Sequence, residues 1–313
     1  MKVFIAGATG VIGRRVVPVL VTQGHSVTGI GRTAERRARL EQLGATAVKL
    51  DLFDAAALRR AVHGHDVVIN LATHIPKTTR MFFPRAWREN DQVRKLGSAN
   101  LIDAAIAGDV ERFVQESFAL TYPDMGDRWI FEDTPIRPTR YNRTVADAEW
   151  SAARFTEHGG IGVVLRFAAF YGPDSGQTRE LIRYARRGWA ALPGPPDAYF
   201  SSVSHDDAAA AVVAALGLPA GAYNMVDDEP LRRREFFDAL AAALGTRPPR
   251  LPPAWTVRLM GSLGETLGRS VRMSNRKLRA EGGWSPRFPS VREGWQAVLQ
   301  AAPAEPTVTL RRQ

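Results

Sequence analysis

The sequence predicts an α/β chain: a doubly wound parallel sheet of about seven strands, with a smaller lobe drawn from the C-terminal third. Three observations lead there. Short apolar, β-branched runs alternate with longer segments of helical periodicity up to residue 226, the pattern of a parallel sheet covered on both faces. The first such run, Val3-Phe4-Ile5-Ala6, empties into closely spaced glycines and then a helix. Later, Pro193-Gly194-Pro195-Pro196, Pro248-Pro249 and Pro252-Pro253 mark turns between short helices. Residues 1–167, joined by 200–228, are expected to build the sheet domain, and 168–313 mainly the lobe.

The elements follow in order. A strand over 3–6 leads to a helix over 14–23, closed by Gly24. Strands are predicted at 26–30, 46–50 and 66–71, with a helix over 54–62 between the last two. A long helix is predicted from about residue 85 to 107, ended by Gly108. Strands at 112–115 and 162–167 come next. A helix over 206–216, opened by Asp206-Asp207, leads to a seventh strand at 222–226. No internal repeat is visible, and the last ten residues are expected to fray.

The glycine run carries the chemistry. In Gly7-Ala8-Thr9-Gly10-Val11-Ile12-Gly13 the first glycine permits a tight turn and the second lets a pyrophosphate approach the backbone. The third lets the helix pack on the sheet. The helix N-terminus offers free N–H donors and partial positive charge to an anion. A strand before and a helix after make this a Rossmann-type dinucleotide cradle, with Gly7, Thr9, Gly10, Val11, Ile12 and Gly13 against the phosphates. An NAD site ordinarily ends its second strand with an acid for the ribose 2′-hydroxyl. None stands at 26–34, and Arg32 follows the strand instead, with Arg36 and Arg37 close behind. A guanidinium suits a 2′-phosphate, so the expected cofactor is NADP(H).

Composition narrows the rest. Hydrophobic residues at 45% and charged residues at 24% are ordinary for a globular protein. With no cysteine, disulfides, thiolate catalysis and cysteine zinc sites are excluded. The net charge of +10 raises nucleic acid as a partner, but the basic residues are scattered, arginine outnumbers lysine about seven to one, and no nucleic-acid motif accompanies them. The histidines show no metal spacing. The most apolar stretch, 208–216, is too short to span a bilayer, and a strand beginning at residue 3 leaves no room for a signal peptide. A cytoplasmic protein is expected, with a small-molecule substrate, no nucleic acid, no membrane, and an oligomeric state compatible with a homodimer.

The residues also resemble a family, the extended short-chain dehydrogenase/reductases or NAD-dependent epimerase/dehydratases, over nearly the whole chain. The resemblance runs through the 7–13 loop, Asp51-Leu52, Asn70-Leu71-Ala72, Ser117, Tyr141 with Glu149, Arg166 with Tyr171-Gly172-Pro173, Val203 with Asp206 and Ala208, and Tyr223-Asn224. It implies that Asp51 bonds the adenine amino group, with Leu52 beside it, and that Leu71 and Ala72 line the cofactor. It also implies a catalytic Ser or Thr, a Tyr, and a Lys four residues after the Tyr. A phenol titrates near 10; a nearby ammonium favours the phenolate.

The chain departs from that pattern at several points. Tyr141-Asn142-Arg143-Thr144-Val145 has valine in the lysine's place, and Arg143 is a poorly placed substitute. In Glu116-Ser117-Phe118-Ala119-Leu120-Thr121-Tyr122 the serine's post falls on Phe118, and a one-residue insertion would restore Ser117 to it. Glu116 and Tyr122 are alternative acid/base groups. Arg94 stands where the family often has asparagine, with Asn90 one turn earlier. Ala169 replaces an asparagine that nucleotide-sugar enzymes place against the substrate phosphate, which argues against such a substrate. Trp189, Tyr199, Phe200 and Trp255 are candidates to line an apolar pocket.

Three functions remain open. One is an NADP(H)-dependent oxidoreductase acting on a small carbonyl or hydroxyl compound, as in a tailoring step of secondary metabolism, with Ser117 and Tyr141 polarising the oxygen. The second is a redox-neutral epimerase or dehydratase that keeps NADP bound. The third is a non-catalytic NADP-binding sensor.

Overall fold

The structure, a computed structural model, describes residues 1–76, 80–81 and 83–301. The first half alternates β1 (Lys2–Ala6), α1 (Gly13–Thr22), β2 (Ser26–Ile30), α2 (Ala34–Gln42), β3 (Thr46–Val48), α3 (Ala55–Val62) and β4 (Val67–Asn70). Side-chain caps set several helix starts: Thr33 accepts from the Arg36 N–H and Asp54 from the Ala57 N–H. Helix α1 has neither a side-chain cap nor an acid in its first turn, so its positive end stays open to a ligand anion.

The long helix expected over 85–107 is four pieces in series. A 3₁₀ turn (Pro84–Trp87) runs into α4 (Arg88–Gln92), a π-helical segment (Val93–Gly97) and α5 (Ser98–Ala107). A π turn carries one more residue than an α turn and recurs at functional sites. Strand β5 (Arg112–Phe118) is longer than expected, passing through Ser117 to Phe118, whereas β3 stops at Val48. The short β6 (Trp129–Ile130) precedes α6 (Thr144–Glu157) and β7 (Ile161–Phe167).

The remainder comprises β8 (Ala169–Tyr171), α7 (Gly176–Arg186), β9 (Tyr199–Phe200), β10 (Ser202–Ser204), α8 (His205–Ala214) and β11 (Gly221–Met225). It continues with β12 (Leu231–Arg232), α9 (Arg233–Leu244), α10 (Gly261–Gly268), β13 (Arg272–Met273), α11 (Arg276–Gly282) and α12 (Val291–Ala301). The expected fraying of 304–313 lies outside the described residues.

Seven strands form one parallel sheet in the order β11-β7-β5-β4-β1-β2-β3. The chain leaves β1 toward β2 and later returns on its other side at β4, so the ligand crevice lies outside the carboxyl ends of β1 and β4. One apolar cluster, with Val16, Leu20, Val114, Leu165, Val212 and Trp284, covers one face; a second, with Leu58, Leu101, Ile102, Phe113 and Phe155, covers the other. A third cluster, with Leu181, Phe200, Phe236, Phe237 and Trp295, belongs to the C-terminal lobe. Phe200 is spent in that core, Tyr199 lies between the guanidinium groups of Arg232 and Arg272, and Trp189 and Trp255 are exposed, so the four aromatics considered above share no pocket. Among the described residues no helix is long and apolar enough to cross a membrane.

Candidate active site

The glycine loop sits at the crevice as a backbone cradle. Gly7 has φ +82°, and a Cβ there would lie 2.5 Å from the backbone of Leu71. The loop therefore packs directly on the chain leaving β4. A Cβ on Gly13 would stand 2.2 Å from the Gly7 carbonyl oxygen, so α1 begins against the loop only because that residue is glycine. Gly10 is exposed, and its added Cβ would meet nothing nearer than the Gly7 oxygen at 3.1 Å. Space there is left for something other than protein. Thr9 and Val11 are half-buried beside it, and Ile12 packs in the core. These residues fit a pyrophosphate.

The ends of β2 and β3 open into a cleft of about 1470 Å³. Its lining includes Arg32, Lys49, Arg80, Arg85 and Arg88 against Asp51 and Glu89. Arg32 is exposed, with Nη1 3.4 Å from a Glu89 oxygen that also lies 3.0 Å from His74 Nδ1. Pairs this exposed contribute little, and a phosphate dianion would compete for the guanidinium on better terms. The Asp51 carboxylate accepts from the Phe53 N–H at 3.0 Å and lines the same cleft, and Leu52 packs beneath Gly97. Leu71 is buried at the end of β4, and the Ala72 N–H donates to Asn70 Oδ1. Asn70 in turn donates to Ser98 Oγ and Gln115 Oε1, at 3.1 and 3.0 Å. That buried amide network fixes the strand ends that the cofactor would cross.

Tyr141 lies one turn before α6, on the other side of the crevice. Asn142 holds that start, accepting from the Thr139 N–H at 2.7 Å and donating to the Leu120 carbonyl at 3.0 Å. The Tyr141 ring meets Trp87 edge-on, with centroids 4.6 Å apart. Burial pushes its phenol well above the ordinary value, and Arg94 opposes that. Tyr141 is thus a neutral donor throughout the physiological range. Val145 is fully buried and supplies no charge. Arg143 is exposed, lining a hollow with Lys95 and Asp147.

The β5–β7 register runs unbroken from Arg112 opposite Ile161 to Phe118 opposite Phe167, so Ser117 lies within the last stretch of paired strand, before the 3₁₀ turn that leads to Tyr122. Its hydroxyl is fully buried and donates to Glu149 at 2.5 Å. Glu149 also takes both arms of Arg166, Nε at 2.9 Å and Nη2 at 2.8 Å. Arg166 Nη1 donates to the Tyr122 hydroxyl, which donates to Asn224 Oδ1. Burial pushes the Tyr122 phenol up to about 12 even against that guanidinium. Ser117 and Tyr122 are therefore tied into one buried polar network through Glu149 and Arg166. Glu149, Arg166 and Asn224 stand out as motif residues in the sequence, but the contacts that join them through Tyr122 run over separations from 17 to 102 positions.

Sequence reasoning also missed one pairing. Arg94, in the π segment, and Glu116, on β5, form a salt bridge at 3.3 Å with side chains only 8% and 11% exposed. Among the described residues no ring of three or more metal-ligating side chains is present.

A parallel sheet with a backbone phosphate cradle at its switch point and a tyrosine across the crevice defines a nicotinamide-dinucleotide enzyme of Rossmann type. The chain belongs to the NAD dependent epimerase/dehydratase family, whose model matches residues 3–225. A "3-diazoavenalumate denitrifying reductase" from a Streptomyces species is 33% identical over 308 residues, covering 94% of this chain and 99% of the relative. A 4-hydroxy-2-methyl-3-oxo-4-farnesyl-3,4-dihydroquinoline-1-oxide ketoreductase from Stigmatella aurantiaca is 26% identical, covering 97% of each. Among solved structures, a human epimerase family protein with NADPH superposes with TM-score 0.81 at 21% identity, over 96% of this chain and 100% of the other. The UDP-glucose 4-epimerase of Thermus thermophilus with NAD gives 0.76 at 24%, over 96% and 98%. These two show the shared fold. The named relatives are reductases, and the chain is an oxidoreductase that uses a nicotinamide cofactor.

Proposed function

We propose that this chain is an NADP(H)-dependent reductase of a small, non-nucleotide molecule. One observation carries the reading: the cofactor cradle is complete while the family's proton machinery is reduced to a lone, neutral Tyr141, with Val145 fully buried in the lysine's place. Such a site carries a proton to donate at neutral pH but has no base form ready to accept one, which favours reduction over alcohol oxidation or epimerisation.

Gly7, Gly10 and Gly13 would hold the pyrophosphate, Asp51 the adenine, Leu71 and Ala72 the central ribose, and Arg32 a 2′-phosphate. When bound, the reduced cofactor supplies hydride. Tyr141 hydrogen-bonds a substrate oxygen and donates its proton as charge develops there. Ala169, in place of a phosphate-binding asparagine, supports a substrate without a nucleotide.

Similarity to the streptomycete relative, over almost the full length of both chains, supports a diazo carboxylate as substrate. In that reaction R–N₂⁺ plus hydride gives R–H and N₂, and loss of dinitrogen drives the step with little call on a proton relay. That matches a site which has lost its lysine. A second substrate class is a 3-oxo compound, as for the ketoreductase relatives, which needs the Tyr141 proton. Incubation with NADPH and either 3-diazoavenalumate or a 2-alkyl-3-oxoalkanoate separates them. Nitrogen release with NADPH oxidation supports the first, and a 3-hydroxy product the second. No oxidation with either removes both substrate assignments. Calorimetry tests the cofactor: NADPH is expected to bind at least tenfold tighter than NADH, because a charge-assisted contact contributes about 1.5–3 kcal/mol. Arg32→Ala should erase the difference; equal affinities in the parent would return the assignment to NAD.

A further inference from the structure

The Arg94–Glu116 pair is a poor device for stability. Two charges are withdrawn from water for a single contact of 3.3 Å, while Arg94 Nε and Glu116 Oε2 are buried with no hydrogen-bond partner among the described residues. Desolvating such a pair ordinarily outweighs its attraction unless every polar atom is satisfied. The placement is the informative part. Arg94 sits in the π segment, against which α6 packs, and the same helix run contacts the Tyr141 region twice more. Trp87 meets the Tyr141 ring at 4.6 Å, and Asp91 accepts from Thr144 Oγ1 at 2.9 Å.

Of the other charged side chains of this region, Arg140 and Arg143 are exposed and several acids are held by partners of their own. Asp91 is held by Thr144, and Arg143 and Asp147 line the outer hollow. Glu149 is spent on Arg166 and Ser117. Among the described residues Arg94 is the one charged group that perturbs the Tyr141 phenol.

We propose that Arg94, tethered by Glu116, is a positioning residue that supplies the cation for Tyr141 from the π segment packed beside α6, filling the role left vacant on α6 by Val145. This rests on the reductase reading above only in giving Tyr141 a proton to transfer. The guanidinium stabilises the phenol's developing negative charge as its proton leaves, and Glu116 fixes the guanidinium while moderating its field. An opposite-charge neighbour acts on an acid in that sense, and a like charge in the reverse sense.

The signs make the idea testable without a substrate. With 3,5-difluorotyrosine at position 141, fluorine NMR follows that phenol's ionisation directly. The neutral double variant Arg94→Met/Glu116→Gln avoids leaving one buried charge alone, and should lower the phenol's acid constant more than tenfold. Glu116→Gln alone should raise it severalfold, and Arg94→Lys should leave it within about threefold of the parent. Circular dichroism and thermal melts establish that each variant is folded. An unchanged acid constant in the double variant, or shifts of the same sign in both glutamine variants, overturns the proposal.

A second arm measures steady-state turnover with 3-diazoavenalumate and with a 2-alkyl-3-oxoalkanoate. On the 3-oxo substrate, whose reduction takes the Tyr141 proton, kcat should fall at least thirtyfold in the double variant, whereas turnover of the diazo substrate should change much less. KM for NADPH should hold, and Arg94→Lys should restore most of the rate. If neither substrate is turned over by the parent, the substrate assignment fails, and the fluorine titration still decides the role of Arg94.

Discussion

The two sides of the crevice are built from different materials. On the β1–β4 side the ligand seat is backbone: a glycine loop pressed on the chain leaving β4, an open helix end, and an amide network of Asn70, Ser98 and Gln115 behind it. On the β5–α6 side the seat is side chains, with a buried Val145 one turn after Tyr141 and Arg94 facing Glu116. Backbone geometry tolerates few replacements, since a Cβ at Gly7 or Gly13 collides with main chain. Side-chain chemistry can be exchanged one residue at a time. A chain can therefore keep its cofactor while changing its reaction.

Gly10→Val is the severest way to break that contrast. The added side chain needs a shift of a few tenths of an ångström from the Gly7 carbonyl and occupies the pyrophosphate's place, so the variant should fold by circular dichroism and lose NADPH affinity by more than a hundredfold in calorimetry, about 3 kcal/mol. Normal binding would put the phosphates elsewhere. On the opposite side, Tyr141→Phe should leave NADPH affinity nearly intact and slow carbonyl reduction by roughly 10²–10⁴-fold, the effect of a lost general acid. On a diazo substrate the same variant should lose much less, and the ratio of the two effects identifies which chemistry the site serves.

A third test concerns the framework that joins the sides. His205, at the start of α8, is buried against Asp174, and burial holds its imidazole down to about 4. In the unfolded chain it titrates near 6.5. The neutral folded form thus contributes fully above pH 6.5, and that contribution is lost as pH falls toward 4. It amounts to roughly 3 kcal/mol. Denaturant melts from pH 7 to 4 should show this slope, and His205→Gln should flatten it. Smallest of all should be Ser117→Ala. Loss of one hydrogen bond to a charged group destabilises by about 1.5–3 kcal/mol, while turnover of the folded protein should stay within about threefold. A large kcat defect with unchanged stability would return Ser117 to the chemistry.

How much of this was legible in the sequence follows the same division. The cradle and the seven-stranded sheet are written locally: strand, glycines and helix stand adjacent in residues 3–23, and hydrophobic period alone marks the other strands. The contact of Ser117 was not legible, because Glu149 lies 32 residues away on α6 and no local pattern joins the two. Glu116 and Arg94 lie 22 residues apart on a strand and a helix, and nothing in the spacing marks them as partners. The helix periodicity over 85–107 was apparent, but a π turn leaves the apolar pattern nearly unbroken.

That π turn is also a phase shifter. An α-helix advances about 100° per residue, so one surplus residue sets the side chains before it about 100° out of step with those after it. Val93–Gly97 thereby lets one continuous rod aim Trp87 and Asp91 at the Tyr141 region while Ser98 faces Asn70. Deleting a single codon within the turn would restore a plain helix, with no residue of the cradle touched, yet swing the upstream half away from its partners. The reactive half of the crevice can thus be retuned by a change of length, a kind of variation to which the glycine cradle is blind.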